Sequence, residues 1–198
     1  SDALLGRHTP EGTLQLDEVR ISEGELRDVD RIVVIGCGTA HYAGLVAKYA
    51  IEHWTRIPCE VELAHEFRYR DPILTRNTLV VAISQSGETA DTLMAIRYAR
   101  QQRAKVLAIC NTNGSTIPRE SDAVIYTHAG PEIAVASTKG LITQLIACYV
   151  LGLYLAQVRG TLYGDEIANT ISALGQMPDK VQAVLDDAET VYQLARDH

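Results

Sequence analysis

The chain has 198 residues, 46% hydrophobic and 22% charged, which fits one globular domain of ordinary size and excludes a disordered segment. A formal net charge of −7 argues against a general nucleic-acid surface, which needs a basic face to displace counterions. Four cysteines (Cys37, Cys59, Cys110, Cys148) stand far apart with no Cys-x-x-Cys pair, and with no signal-like start they read as reduced thiols of a cytoplasmic protein.

Residues 1–30 are the least regular part: Leu4 and Leu5 could finish a helix, and Pro10 and Gly12 break any continuation. From Arg31 the pattern sharpens. Residues 32–35 form an apolar strand, Gly36 and Gly38 open a tight turn, and a helix follows with Tyr42, Leu45, Val46, Tyr49 and Ala50 on one face. Pro58 stops it, and residues 59–63 alternate like an outer strand. After a polar segment over 64–77 come a strand at 78–83, the hydroxyl-rich loop Ser84-Gln85-Ser86-Gly87-Glu88-Thr89, and a helix with Leu93, Met94 and Tyr98 on one face.

Residues 105–110 and 123–126 are further strands. Between them, Asn111, Asn113, Gly114 and Ser115 turn the chain. The apolar stretch 141–156 is shorter than the ~20 residues of a membrane span and reads as a buried core helix. Past Gly160, a mild helical pattern covers 163–174. Pro178 then opens a helix whose stripe is Val181, Val184, Leu185, Ala188, Val191 and Ala195.

Strands alternating with helices imply right-handed crossovers and a five-stranded parallel sheet sandwiched by helices, a flavodoxin-like three-layer αβα fold. Ligands in such sheets bind at the carboxyl ends of the strands, where the strand order reverses. The loops 36–39, 84–89 and 111–115 all fall at those ends, and the expectation is that the three line one pocket.

The first amides of a helix lack intrahelical partners and carry the positive end of its dipole, so Ser84–Thr89 is an anion site. Ser84, Ser86 and Thr89 supply more hydroxyl than a helix cap requires, and no Lys or Arg lies among them. Glu88 in a first turn is structural and faces outward. The Gly36-Cys37-Gly38 turn is no dinucleotide fingerprint, since the sixth position is His41. Cys37 reads as a small buried residue. Lys139, in the first turn of an apolar helix, reads as a surface or capping group. His41, His53, His65 and His128 show no metal-ligand spacing.

Ser84-Gln85-Ser86-Gly87-Glu88-Thr89 after an apolar strand resembles the phosphosugar loop of the sugar isomerase (SIS) domain family. Gly36-Cys37-Gly38-Thr39 and the run Glu132-Ile133-Ala134-Val135-Ala136-Ser137-Thr138-Lys139 resemble its other motifs, in the family's order. The tract 59–70 resembles the branch that makes glucosamine 6-phosphate from fructose 6-phosphate and glutamine, an aminotransferase reaction feeding UDP-N-acetylglucosamine synthesis. The resemblance implies sugar-phosphate contacts from Thr39, Ala40, Ser84, Gln85, Ser86, Thr89, Val135 and Ser137. At Ala40 the usual pattern has Ser, so only a backbone contact remains there.

It also implies an N-terminal segment over 1–30, a SIS domain over 31–160, and helices over 161–198 leading to a second SIS domain. In that branch a glutaminase domain precedes two SIS halves. The Glu, His and Lys of ring opening and isomerisation sit in the second half, so a lone first half should be inactive. No catalytic residue, no metal and no organic cofactor is implied for this chain; a homodimer is. The alternatives are a single-SIS phosphosugar isomerase and a sugar-phosphate-sensing domain of a DNA-binding regulator.

Overall fold

The computed structural model describes residues 4, 6–9, 11–133 and 137–197; Leu5, Pro10, Val135 and its neighbours Ala134 and Ala136 lie outside them. Five strands, β1 (Arg31–Gly36), β2 (Cys59–Leu63), β3 (Thr78–Ser84), β4 (Lys105–Cys110) and β5 (Ala123–Tyr126), form one parallel sheet in the order β2-β1-β3-β4-β5. The central strands are buried on both faces, which is why they read as unbroken apolar runs. At the edge, β2 is only partly covered: Cys59 is buried, Glu60 exposed and Val61, Glu62 and Leu63 half-buried, so the alternation of the sequence is blurred.

Successive side chains point to opposite faces. Ile32, Val34, Leu79, Val81, Ile83, Leu107, Ile109 and Ile125 therefore enter one core, against α2 (Thr39–Thr55) and α6 (Lys139–Arg159). Val33, Ile35, Val80, Ala82, Val106 and Ala108 enter the other, with α3 (Ala64–Tyr69), α4 (Ala90–Gln101) and α5 (Thr116–Glu120). Helix α3 was not expected: it is a short helix in a polar stretch, anchored by the fully buried Phe67.

Two helix faces differ from the sequence reading. On α2 the buried residues are Ala40, Ala43, Gly44, Ala47 and Ile51, while Tyr42, Leu45, Val46 and Tyr49 face outward. Close approach is the reason: a Cβ on Gly44 would lie 2.8 Å from Val34 Cγ1 and 3.0 Å from Val61 Cγ1, so this face must be small. On α4 Ala95, Ile96 and Ala99 are buried, Leu93 and Tyr98 pack partly buried against the same core as expected, and of the expected face only Met94 is exposed.

Helix α6 reaches 21 residues with a mean hydropathy of 1.8, long and apolar enough for a span, yet 61% of that window is buried inside the domain. The described residues between 4 and 30 are also part of the body. Leu4, Leu14, Leu16, Val19 and Ile21 join the core, and Arg7, 3% exposed, pairs with Glu18 and donates to the Tyr126 carbonyl at 2.7 Å. Helix α1 (Glu23–Arg27) starts with a capping box of Ser22 and Glu25. Beyond α6 run α7 (Gly164–Gly175), α8 (Met177–Asp186) and α9 (Ala188–Asp197); α8 and α9 bury no residue.

Lys105 Nζ lies 2.6 Å from Glu25 Oε1, and together with the Ser22 hydroxyl and amide it holds the Glu25 carboxyl at about 2, below the ordinary 4.5. A carboxylate depressed in the folded state stabilises the fold above its unfolded pKa, and that stability disappears as pH falls through the folded value. Wild type should therefore melt above Glu25→Gln at neutral pH, and the gap should close between pH 4.5 and about 2. Added salt should narrow it, since the pair is partly exposed. Thermal melts across that range, at low and high salt, check this.

Candidate functional site

The chain runs from β1 out to β2 and then returns across the sheet to β3, so the strand order reverses between β1 and β3. Helices leaving those two strands diverge to opposite faces, and a crevice opens between their first turns. A cavity of about 180 Å³ lies there, lined by Cys37, Thr39, Ala40, Ile83, Ser84, Gln85, Ser86, Thr89, Glu132, Ser137 and Gln144. Seven of the eight residues singled out in the sequence are among them; Val135, the eighth, lies outside the described residues.

Three helix starts meet at this cavity. Thr39 and Ala40 open α2, Thr89 is the N-cap of α4, and Ser137 precedes Thr138, the N-cap of α6. None of the three caps makes a side-chain hydrogen bond to its own helix. At α6 the carboxylate of Glu132 takes that role, accepting from the Gly140 amide at 3.1 Å and the Thr138 amide at 3.4 Å. No Lys or Arg is among the described residues that line the cavity. Its attraction for an anion comes from oriented amides and hydroxyls.

Within the loop the hydroxyls divide their work. Ser84, 2% exposed, accepts from the Gly87 amide at 3.0 Å and lies 3.4 Å from Thr89 Oγ1, which closes the turn. Ser86 is exposed and accepts from the Glu88 amide at 3.2 Å, leaving its proton free to donate. Glu88 faces away from the cavity and caps α5, accepting from the amide (2.7 Å) and hydroxyl (3.0 Å) of Thr116. Those two bonds hold its carboxyl below the usual range.

The loop at 111–115 braces the site from behind and adds no wall to it. Thr112 donates to the Gln85 carbonyl at 3.3 Å, and the Ile117 amide donates to the Gly87 carbonyl at 2.9 Å. The third wall comes from Glu132, Ser137 and Gln144 instead. Gln144 and Glu132 were not singled out in the sequence. A glutamine inside an apolar helix was the available signal for the first; the second opens the run 132–139 that resembles a family motif.

Gln144 is 1% exposed, and its Oε1, like Ser137 Oγ, is buried without a hydrogen-bond partner. Buried polar atoms are almost always paired, so two orphans on one cavity wall leave room for a ligand's donors. Cys37 is half-buried and lines the cavity, in place of the buried position expected for it. Lys139 stays exposed and lines an apolar groove between α6 and α8, away from the site. Burial pushes the Cys110 thiol up, so it is no nucleophile.

A parallel sheet with helix starts gathered at its switch point defines a doubly wound α/β domain with a ligand cleft at the sheet's crest. The chain belongs to the SIS domain family, whose model matches residues 25–154. It is 70% identical over 196 residues to a Streptomyces coelicolor protein named glutamine–fructose-6-phosphate aminotransferase (isomerizing), covering 99% of this chain and 32% of that protein. A Mycobacterium tuberculosis protein of the same name is 63% identical, with 98% and 31% covered. The chain thus spans about a third of the length of these relatives. Among solved structures, the C-terminal domain of glucosamine-fructose-6-phosphate aminotransferase from Francisella tularensis superposes with a TM-score of 0.89 at 36% identity, over 98% of this chain and 54% of that one.

Gly87 sits at φ +69°, and a Cβ there would drive into the Ser115 hydroxyl, with Ser115 Cβ at 2.7 Å and Cys110 Sγ at 2.8 Å. Gly87→Ala should cost at least about 1–2 kcal/mol from the left-handed backbone alone, before the clash is counted. A urea midpoint checks the direction and size.

Proposed function

We propose that this chain is the phosphosugar-anchoring half of the isomerase part of a glutamine–fructose-6-phosphate aminotransferase. The observation that carries the reading is the cavity where three helix starts converge, with no Lys or Arg among its described lining and with Ser137 Oγ and Gln144 Oε1 buried and unpartnered among the described residues. Amides of α2 and α4 with Ser86 and Thr89 take the phosphate, while Ser137 and Gln144 meet sugar hydroxyls. The high identity to proteins of that name supports this choice of ligand.

In the parent reaction fructose 6-phosphate and glutamine give glucosamine 6-phosphate and glutamate, in the cytoplasm, towards UDP-N-acetylglucosamine. A proton moves between C1 and C2 once ammonia has joined the ketose. This half contributes grip and orientation; the acid and base come from the second SIS half to which the helices over 161–198 lead, and ammonia from a glutaminase domain. Holding the phosphate fixes where C1 and C2 lie, which is how remote binding energy serves a proton transfer.

Calorimetric titration should give heat for fructose 6-phosphate and glucosamine 6-phosphate and far less for the unphosphorylated sugars. Equal responses would overturn the reading. Ser86→Ala should weaken binding by about 1.5–3 kcal/mol, one hydrogen bond to a charged group. Gln144→Leu separates ligand binding from folding: removing a buried carbonyl oxygen that lacks a partner should leave the melting temperature level or higher, while sugar-phosphate affinity falls.

The homodimer belongs to the same proposal. Tyr42 and Tyr49 of α2, 61% and 75% exposed, and Val184, Leu185, Val191 and Leu194 of α8 and α9 present apolar surface that water disfavours. Sedimentation equilibrium should give a dimer whose dissociation constant rises in Tyr49→Glu or Leu185→Glu, with melting of the separated chains unchanged.

A further inference from the structure

We propose that Cys37, His65 and Asp91 form a binding site for a zinc-class divalent cation at the crest of the sheet. The Cys37 thiol, one ring nitrogen of His65 and a carboxylate oxygen of Asp91 all lie within 4.8 Å of one another, a grouping of ligand atoms found among the described residues. Sequence spacing gave no hint of it, because the three come from separate crossovers. Cys37 follows β1, His65 is the second residue of α3 directly after β2, and Asp91 is the second residue of α4 beyond β3. β2, β1 and β3 are neighbours in the sheet, so their carboxyl ends bring the three side chains together.

The donor set selects the metal class. One sulfur, one imidazole and one carboxylate suit zinc, cobalt or nickel; magnesium and calcium prefer all-oxygen cages. Zinc bonds of about 2.0–2.3 Å in a tetrahedron set ligand atoms about 3.3–3.7 Å apart, so rotamer adjustments of about an ångström close the site. Cys37 and His65 are half-buried and Asp91 is exposed, which leaves an entry path and a fourth position for water. Thr92 Oγ1 lies 3.9 Å from Cys37 Sγ, a hydrogen-bonding neighbour of the sulfur. The other three cysteines are buried, so a thiolate signal would report Cys37 alone. Cys37 also lines the sugar-phosphate cavity, which puts a bound cation at its wall.

The test needs no sugar phosphate, so its result is separate from that of the proposed function. Titrate the reduced chain with zinc by calorimetry in a non-chelating buffer, then with cobalt(II) while recording the absorption spectrum. One equivalent of metal should bind, magnesium should not compete, and cobalt should give a thiolate charge-transfer band with intense tetrahedral ligand-field bands. Outer partners alone carry about 10–100-fold in metal affinity, so losing a direct ligand in Cys37→Ser, His65→Gln or Asp91→Asn should weaken zinc binding at least about tenfold. Cys37→Ser should also abolish the charge-transfer band. Asp91 is exposed, so Asp91→Asn keeps the test open should the other variants fold poorly. Cobalt binding without the thiolate band, or zinc affinity unchanged in the folded variants, would overturn the site.

Discussion

The constraint on which this molecule depends is that a helix cannot satisfy its own first amides. In a doubly wound sheet that deficit is concentrated where strand order reverses, because helices from adjacent strands start side by side and then part. Here α2 and α4 start at that point and α6 starts across from them. Glu132 answers the amides of α6, while the first turns of α2 and α4, which have no side-chain cap, border the cavity. A site built this way attracts a doubly charged group without a fixed cation. Arg or Lys on the same wall would add Coulombic attraction but also desolvation and side-chain ordering. Amides already fixed by the fold carry neither burden.

Fixing them is the work of the residues around the loop. Ser84 closes the turn, Glu88 pins the loop to α5, and the Gln85 and Gly87 carbonyls accept bonds from Thr112 and Ile117. The bonds to Thr112, Thr116 and Ile117 tie the loop to the turn after β4 and to α5, neither of which lines the cavity. Hydroxyl count therefore overstates the ligand contacts. Ser84 sits in the signature and in the lining, yet its geometry is that of a brace, while Ser86 is the exposed donor. Preorganisation of this kind keeps affinity from being lost to ordering the loop on binding.

The strands were legible because central parallel strands bury both faces, so runs such as Leu79-Val80-Val81-Ala82-Ile83 could be nothing else. Helix faces were not, and the reason is general. Hydrophobic periodicity weights large side chains, whereas a helix packed tightly on a sheet must offer small ones. Gly44 leaves no room for even a methyl against Val34 and Val61. The site was legible where it was local in sequence, at 84–89. It was hidden where it depended on register between distant elements, as for Glu132 and Gln144, and for the grouping of Cys37 with His65 and Asp91.

The same preference for small residues inside explains where the large ones went. With Ala43, Gly44 and Ala47 against the sheet, the tyrosines and branched residues of α2 occupy the opposite side of the helix. A solvent-facing helix has no packing reason to carry Tyr42, Leu45, Val46 and Tyr49 together, since each forgoes burial worth roughly 1.5–3 kcal/mol for a large aliphatic or aromatic group. Helices α8 and α9 repeat the pattern, amphipathic but burying nothing within the chain. These stripes lie outside the chain's own core, which α2 and α6 already close, and among the described residues nothing covers them.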